Sequence, residues 1–536
     1  MKPSLFLPVW SSILLISSQI YANDFQIDMT QLTPVPDPLA GNNLPYAKPD
    51  IPIPEIGHTF VDASFNTELV RTTNTGKLRH TYSRISTFNS DNTMVLLQDV
   101  NDGWRRIYST SSMPYDDNFM VTLNQMTETI WDRQEPQMIW GLGAEEEFSI
   151  VRFNISTNQR EVIKDFRQEP MIQNILQNNP DIYRMTMMDE GKPSYDMRYW
   201  ALVLQGTMDD YRYRYLFTWD RQTDEILGTY PLSNENSNLD WVGMSPLGNY
   251  VLIGGLWDNQ GSLQGLTLAD KDLNENNFHR IDYSTNHADV GLDTEGNEVI
   301  VMQNNRTDYI DMLPLNRSTL PILEAGGSYE GTNRIPLIRL FYDNNSPFNF
   351  TYGVHISCNA SQYCVVSTHT ENNNTDDQNW LSATNVLVEL NPSAPKVFYL
   401  SKIHNVTAAY WEETQSSLSY DGSKLLWVSN WGKNPGSEEF FLMQLNLPGK
   451  KNTLSDYQRV MNWAEASFPQ VFSPPGKPER EVPPYQVRYY PNNNTYLAYN
   501  LTDNRFYGFS LTFWGFDIVP FGLLNEYLPS AEQAGF

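Results

Sequence analysis

The chain has 536 residues, with 63 acidic against 36 basic side chains and a formal net charge of −27. That balance excludes a nucleic-acid binder, which needs clustered Lys and Arg against phosphate, and reads as a solubility feature. Hydrophobic content of 40%, with 13% aromatic, is enough for one large β core plus appendages.

Residues 1–22 predict a secretory signal: Lys2 as the charged start, a broadly apolar run from Leu5 to Ile16, and small residues before a cut after Ala22. The run is shorter than a spanning helix needs and is broken by serines, and no other stretch suits a transmembrane segment. The expected location is secreted or periplasmic. Residues 23–57 carry Pro34, Pro36, Pro38, Pro45, Pro49, Pro52 and Pro54 and predict an extended, unpacked leader. From 58 to 450, short β-like runs alternate with Gly/Asn/Asp turns, and only Pro170–Asn179 suits a short helix.

One pattern recurs through that region. Glu190-Gly191-Lys192-Pro193-Ser194 leads through a tight turn into the apolar strand at Trp200. Trp241 to Tyr250 leads into Val251, Asp289 to Glu298 into Val299, and Gln415 to Lys424 into Leu425. An inner strand, a turn and an outward strand, repeated, is the mark of a β-propeller. Aligning the outward strands places Ile85, Glu128, Glu190, Trp241, Asp289, His355 and Gln415 at one equivalent position. This predicts an all-β, seven-bladed propeller, with six or eight blades also compatible. Phe65–Arg71 is expected to add a strand to the last blade and close the ring. Cys358 and Cys364 predict a disulfide across a hairpin turn. Residues 455–536 change character, with a helical spacing of Val460, Trp463 and Ala464, and predict a separate small α+β module.

Asn462-Trp463-Ala464-Glu465, Phe468-Pro469, Phe472, Arg488-Tyr489-Tyr490-Pro491, Thr495-Tyr496-Leu497 and Gly535 resemble a C-terminal domain carried by many secreted proteobacterial proteins; the resemblance implies export and a bacterial origin. Glu190–Ser194 with Arg198-Tyr199-Trp200, His287-Ala288-Asp289, His355-Ile356-Ser357 and Ser429-Asn430-Trp431-Gly432 resemble secreted TolB/WD40-like propeller proteins. A more distant similarity is to oligogalacturonate lyases, propellers with a His-rich metal site facing the central channel. No matching multi-His run occurs in this sequence.

Equivalent positions of successive blades converge near a propeller axis. The ligand-binding candidates are therefore Glu128, Glu190, Trp241, Asp289, His355, Gln415 and His287. Two residues before the first set, on the same strand face, come Ser83, Met126, Met188, Leu239, His287, Gly353 and Glu413. Asp289, His355 and Glu190 are the expected holders of a divalent metal ion, through oxygen and imidazole ligands. Equally, polar residues there can be ordinary lining of a water-filled channel. Trp431 is the first candidate for a sugar-stacking residue. The G-x-S-x-G elbow, P-loop and H-E-x-x-H motifs are absent. Three functions stay open: binding of an extracellular glycan or other ligand at the channel mouth, a metal-assisted polysaccharide lyase or hydrolase, and a protein-contact scaffold.

Overall fold

The computed structural model describes residues 25–40, 50–144, 147–233, 238–256, 263–283, 287–304, 307, 309–321, 331–340, 352–370, 380–451, 456–468, 480–482, 485–490, 495–500, 504–512, 515–523, 526–527 and 530. The expected signal segment lies outside them. The chain forms two compact units that meet in sequence at Lys450 and Lys451. Among the described residues no helix is long and apolar enough to cross a membrane.

The larger unit is a β-propeller built from consecutive antiparallel meanders, seven among the described residues, with four or five strands each. Their first strands are Leu78–Arg79, Met126–Trp131, Ile182–Thr186, Leu239–Met244, Ala288–Leu292, Tyr352–Ser357 and Ser417–Leu418. Alternate residues of the middle strands serve the two neighbouring sheets, so these strands are apolar on both faces. Val366 packs with Val301 and Met312 of the fifth sheet. Val365 instead packs with Leu425 and Met443 of the seventh. Leu426 and Leu442 reach across to Val95 and Tyr108 of the first sheet, joining last to first. Each such side chain contributes about 1.5–3 kcal/mol by leaving water.

Closure uses the N-terminal chain. Glu68–Arg71 pairs with Phe441–Asn446 and lies between it and Thr59–Val61. The leader also packs, against expectation: Phe25–Ile27 pairs with Gly449–Lys451, Thr33–Pro34 adds a fifth strand to the sixth sheet, and Ile27, Leu32 and Val35 are buried. Apolar residues between the prolines supply that burial, and prolines sit readily on an outer edge strand.

The repeated turn has one mechanism. A short polar side chain accepts from a backbone N–H five residues on: Asn89 from Met94 (2.9 Å), Ser194 from Tyr199 (2.9 Å), Ser245 from Tyr250 (3.0 Å) and Ser419 from Lys424 (3.0 Å). These contacts fix the reversal between the first and second strands. Cys358 and Cys364 form a disulfide over the turn joining Tyr352–Ser357 to Tyr363–Thr370.

In the smaller unit the helix Asp456–Ser467 accompanies a five-stranded meander from Arg480–Val482 to Gly515–Leu523. Trp463, Tyr490, Leu497, Tyr499 and Phe506 share its core. Glu465 ties the helix to the strand Tyr485–Tyr490 by accepting from Arg488 (3.2 Å) and Tyr490 (2.8 Å).

Candidate metal and ligand site

The residues singled out by equivalence fall into separate environments. Glu128, Trp241, Asp289 and His355 stand on first strands, whereas Glu190 and Gln415 lie in the loops beside them. The first strand of the third sheet, Ile182–Thr186, stops there because Met188 and Asp189 adopt positive φ (63° and 61°), which carries Glu190 off the strand.

Asp289 is 1% exposed. It binds Lys192 Nζ at 2.6 Å and accepts from the backbone N–H of Cys358 at 2.7 Å. Its charge is thus taken up inside the fold, and it does not join His355 as a ligand. Glu190 is paired with Arg84 at 3.2 Å. Arg84 in turn lies over the Trp241 ring, 4.5 Å from its centroid. Burial raises the Glu190 carboxyl to about 7, opposed by Arg84. Glu128 accepts from the Thr186 hydroxyl and, at 2.6 Å, from Met187 N–H. Burial first, then Asp189, raises its pKa. The expected metal set Asp289, His355 and Glu190 is therefore corrected: each of the two carboxylates already has its own cation.

His355 meets different partners. Among the described residues, the group whose potential ligand atoms all lie within 4.8 Å of one another is His355, His369 and Glu413. His355 Nε2 is 2.8 Å from Glu413 Oε2, and His369 Nε2 is 3.9 Å from Oε1. The His287 ring lies 4.6 Å from that of His355, with Tyr82 edge-on at 5.7 Å. His80 Nε2 donates to the Gln415 carbonyl, and Arg79 donates to Gln415 Oε1 at 2.6 Å. Gln415 then reaches Glu413 at 3.3 Å, so a buried guanidinium holds the carboxylate through an amide.

Burial depresses every imidazole: His80 and His287 to about 3, His369 to about 4, and His355 well below its ordinary value. The rings are consequently neutral at physiological pH, as metal ligation requires. Nδ1 of His355 and of His369 is buried with no hydrogen-bond partner, a costly state.

The hairpin explains how two imidazoles come together. Gly353 stands opposite His369, and His355 opposite Ser367. A methyl group at Gly353 would overlap Cε1 and Nε2 of the His369 ring and come within 2.8 Å of Nδ1. Glycine at 353 is what gives the ring its space. The turn Tyr410–Glu412 delivers Glu413 from the other side. It is pinned by the buried carboxylate of Glu412, which accepts from Ala408 and Gly436 N–H (2.9 and 2.7 Å).

Of the residues singled out by blade equivalence, the structure brings His355, His287 and Gln415 together with Glu413. Sequence reasoning missed His369, His80, Arg79 and Arg84. The cross-strand pair Gly353/His369 was the available signal for His369. Trp431 does not serve as an open platform: it is buried, stacks on His404 at 4.1 Å and donates to the Ile51 carbonyl at 2.9 Å.

No family model and no curated protein matches the chain. Among solved structures, the chain is similar to an oligogalacturonate lyase from Vibrio parahaemolyticus, at 12% identity and a TM-score of 0.45, over 73% of this chain and 96% of that one. A second oligogalacturonate lyase, in complex with manganese, matches at 11% identity and 0.45, with the same coverage. The WD40 domain of Toxoplasma gondii coronin matches at 7% identity and 0.39, over 72% of this chain and 89% of that domain.

Proposed function

We propose that the chain is an exported seven-bladed propeller, each sheet one blade, that holds a transition-metal ion and uses it to bind an extracellular ligand at the channel mouth. The observation that carries this reading is the set of two buried imidazoles, His355 and His369, and the partly exposed Glu413, with His287 beside it. Two imidazoles and one carboxylate suit zinc, iron or manganese better than calcium, which prefers oxygen throughout. Three protein ligands leave a coordination position for a ligand oxygen. A metal on His355 Nε2 would take the place of the proton now between that nitrogen and Glu413, the neutral ring then carrying its proton on Nδ1. Export rests on residues 1–22 and on the disulfide.

The test is metal analysis of the purified mature protein, followed by titration of the metal-free protein with zinc, manganese and calcium. Stoichiometric zinc or manganese, lost in His355→Ala and His369→Ala, supports the reading. Calcium preference, or no metal, contradicts it.

A second reading, a metal-assisted polysaccharide lyase or hydrolase, is favoured by Glu190. A carboxyl raised to about 7 exchanges its proton near neutral pH, as general acid–base work demands. Oligosaccharide turnover that disappears in Glu190→Gln while metal remains bound would select it.

A further inference from the structure

We infer that Tyr410 is the ligand-contacting platform of this site and that the ligand is a neutral carbohydrate, whose ring packs on the phenol face while its hydroxyls meet Glu190. This rests on the reading of the imidazole cluster as a ligand site.

Exposure shows from which side a ligand can come. His80, His355, His369, Arg79 and Arg84 are buried. Glu190 and Glu413 keep 21% of their side chains exposed, and His287 is half-buried. Tyr410 is 53% exposed. The solvent edge of the cluster thus includes two carboxylates, the His287 imidazole and the Tyr410 ring, with Trp411 half-buried beside them.

Tyr410 differs from the other exposed large apolar side chains among the described residues. Phe119 lies on the outer strand of the first sheet, and Trp104 and Tyr211 lie just before the third strands of the first and third sheets. Tyr410 stands three residues before Glu413 and next to Trp411, whose backbone carbonyl accepts from Arg79 (2.6 Å), the guanidinium that also holds Gln415. Tyr410 also feels the charges of Arg79, Glu190 and Glu413. The Trp411 ring is edge-on to it at 5.1 Å, which braces the ring and leaves a face open.

The chemistry of that edge selects the ligand. An exposed aromatic face favours a ring with an apolar C–H side, and flanking carboxylates accept hydrogen bonds from hydroxyls. The nearby guanidiniums, Arg79 and Arg84, are buried and engaged with Gln415 and Glu190, so the open edge offers no free cationic side chain to an acidic ligand. A neutral sugar ring offers both required surfaces.

The test uses the full mature protein on an array of neutral and acidic oligosaccharides, with metal content measured on the same samples. Wild type is expected to bind neutral members. Tyr410→Ala should weaken that binding on the order of tenfold, while Tyr410→Phe, which keeps the ring, should retain most of it. Tyr410→Ala binding as well as wild type, binding confined to acidic sugars, or no carbohydrate binding by a metal-loaded wild type would each overturn the inference. Sugar binding that depends on Tyr410 in a protein without metal would uphold the inference and refute the metal reading instead.

Discussion

Gly353→Ala is a one-methyl change that should disable the metal site from the far strand. The new Cβ would occupy the space of the His369 ring, overlapping Cε1 and Nε2. The strand cannot retreat easily, because Gly353 and His369 are directly paired within a hairpin closed by a disulfide. The ring must therefore leave its rotamer, taking Nε2 away from its position 3.9 Å from Glu413 Oε1. Overpacking of this kind costs about 1–3 kcal/mol of stability. Misplacing a ligand should lower metal affinity on the order of 100-fold, the equivalent of about 2.7 kcal/mol. Denaturant midpoints and metal titration of the same protein measure the two effects. The double variant Gly353→Ala/His369→Ala should recover stability, since the overlap is gone, and still bind metal weakly. Wild-type metal affinity in Gly353→Ala would refute the role given to this glycine.

Lys192→Met should destabilise the propeller by about 3 kcal/mol, because it leaves the buried Asp289 carboxylate without its cation; adding Asp289→Asn should restore much of the loss in a denaturant cycle. The non-reduced mature protein should contain no free thiol, and Cys358→Ser/Cys364→Ser should cost about 2 kcal/mol by the same measurement. The metal-free protein should lose stability as pH falls from 6.5 toward 3–4: His80, His287 and His369 have folded pKa values below their unfolded ones, so the unfolded chain takes up protons first. His80→Asn should flatten that limb, and its persistence unchanged would count against buried neutral imidazoles. A chain ending at Lys451 should keep the propeller folded by circular dichroism, whereas one ending at Pro448 should be less stable through loss of the pairing with Phe25–Ile27.

The fold was legible in sequence because its repeat is local. The turn after each first strand rests on side chains within five residues, as at Ser194 and Ser419, and the apolar alternation of Val365 and Val366 follows directly from packing between two sheets. The site was legible only in part. Equivalence between blades located His355 and Gln415, but the positive φ of Met188 and Asp189 broke the register at Glu190. Asp289 stands on a first strand as blade equivalence places it, but its partner is Lys192, 97 residues away, a relation that spacing does not display. His369 sits on a second strand and enters through the absence of a side chain at Gly353, a cross-strand relation that spacing along the chain does not display. The leader's prolines masked Ile27, Leu32 and Val35, whose burial depends on outer edges formed hundreds of residues later.

The most direct test of the central claim is the metal content of the mature protein after exposure to zinc and manganese and removal of free ions, compared with the His355→Ala/His369→Ala double variant. The arrangement of His355, His369 and Glu413 predicts stoichiometric metal in wild type and none in a folded double variant. Equal metal in the two proteins, or none in wild type, would contradict it.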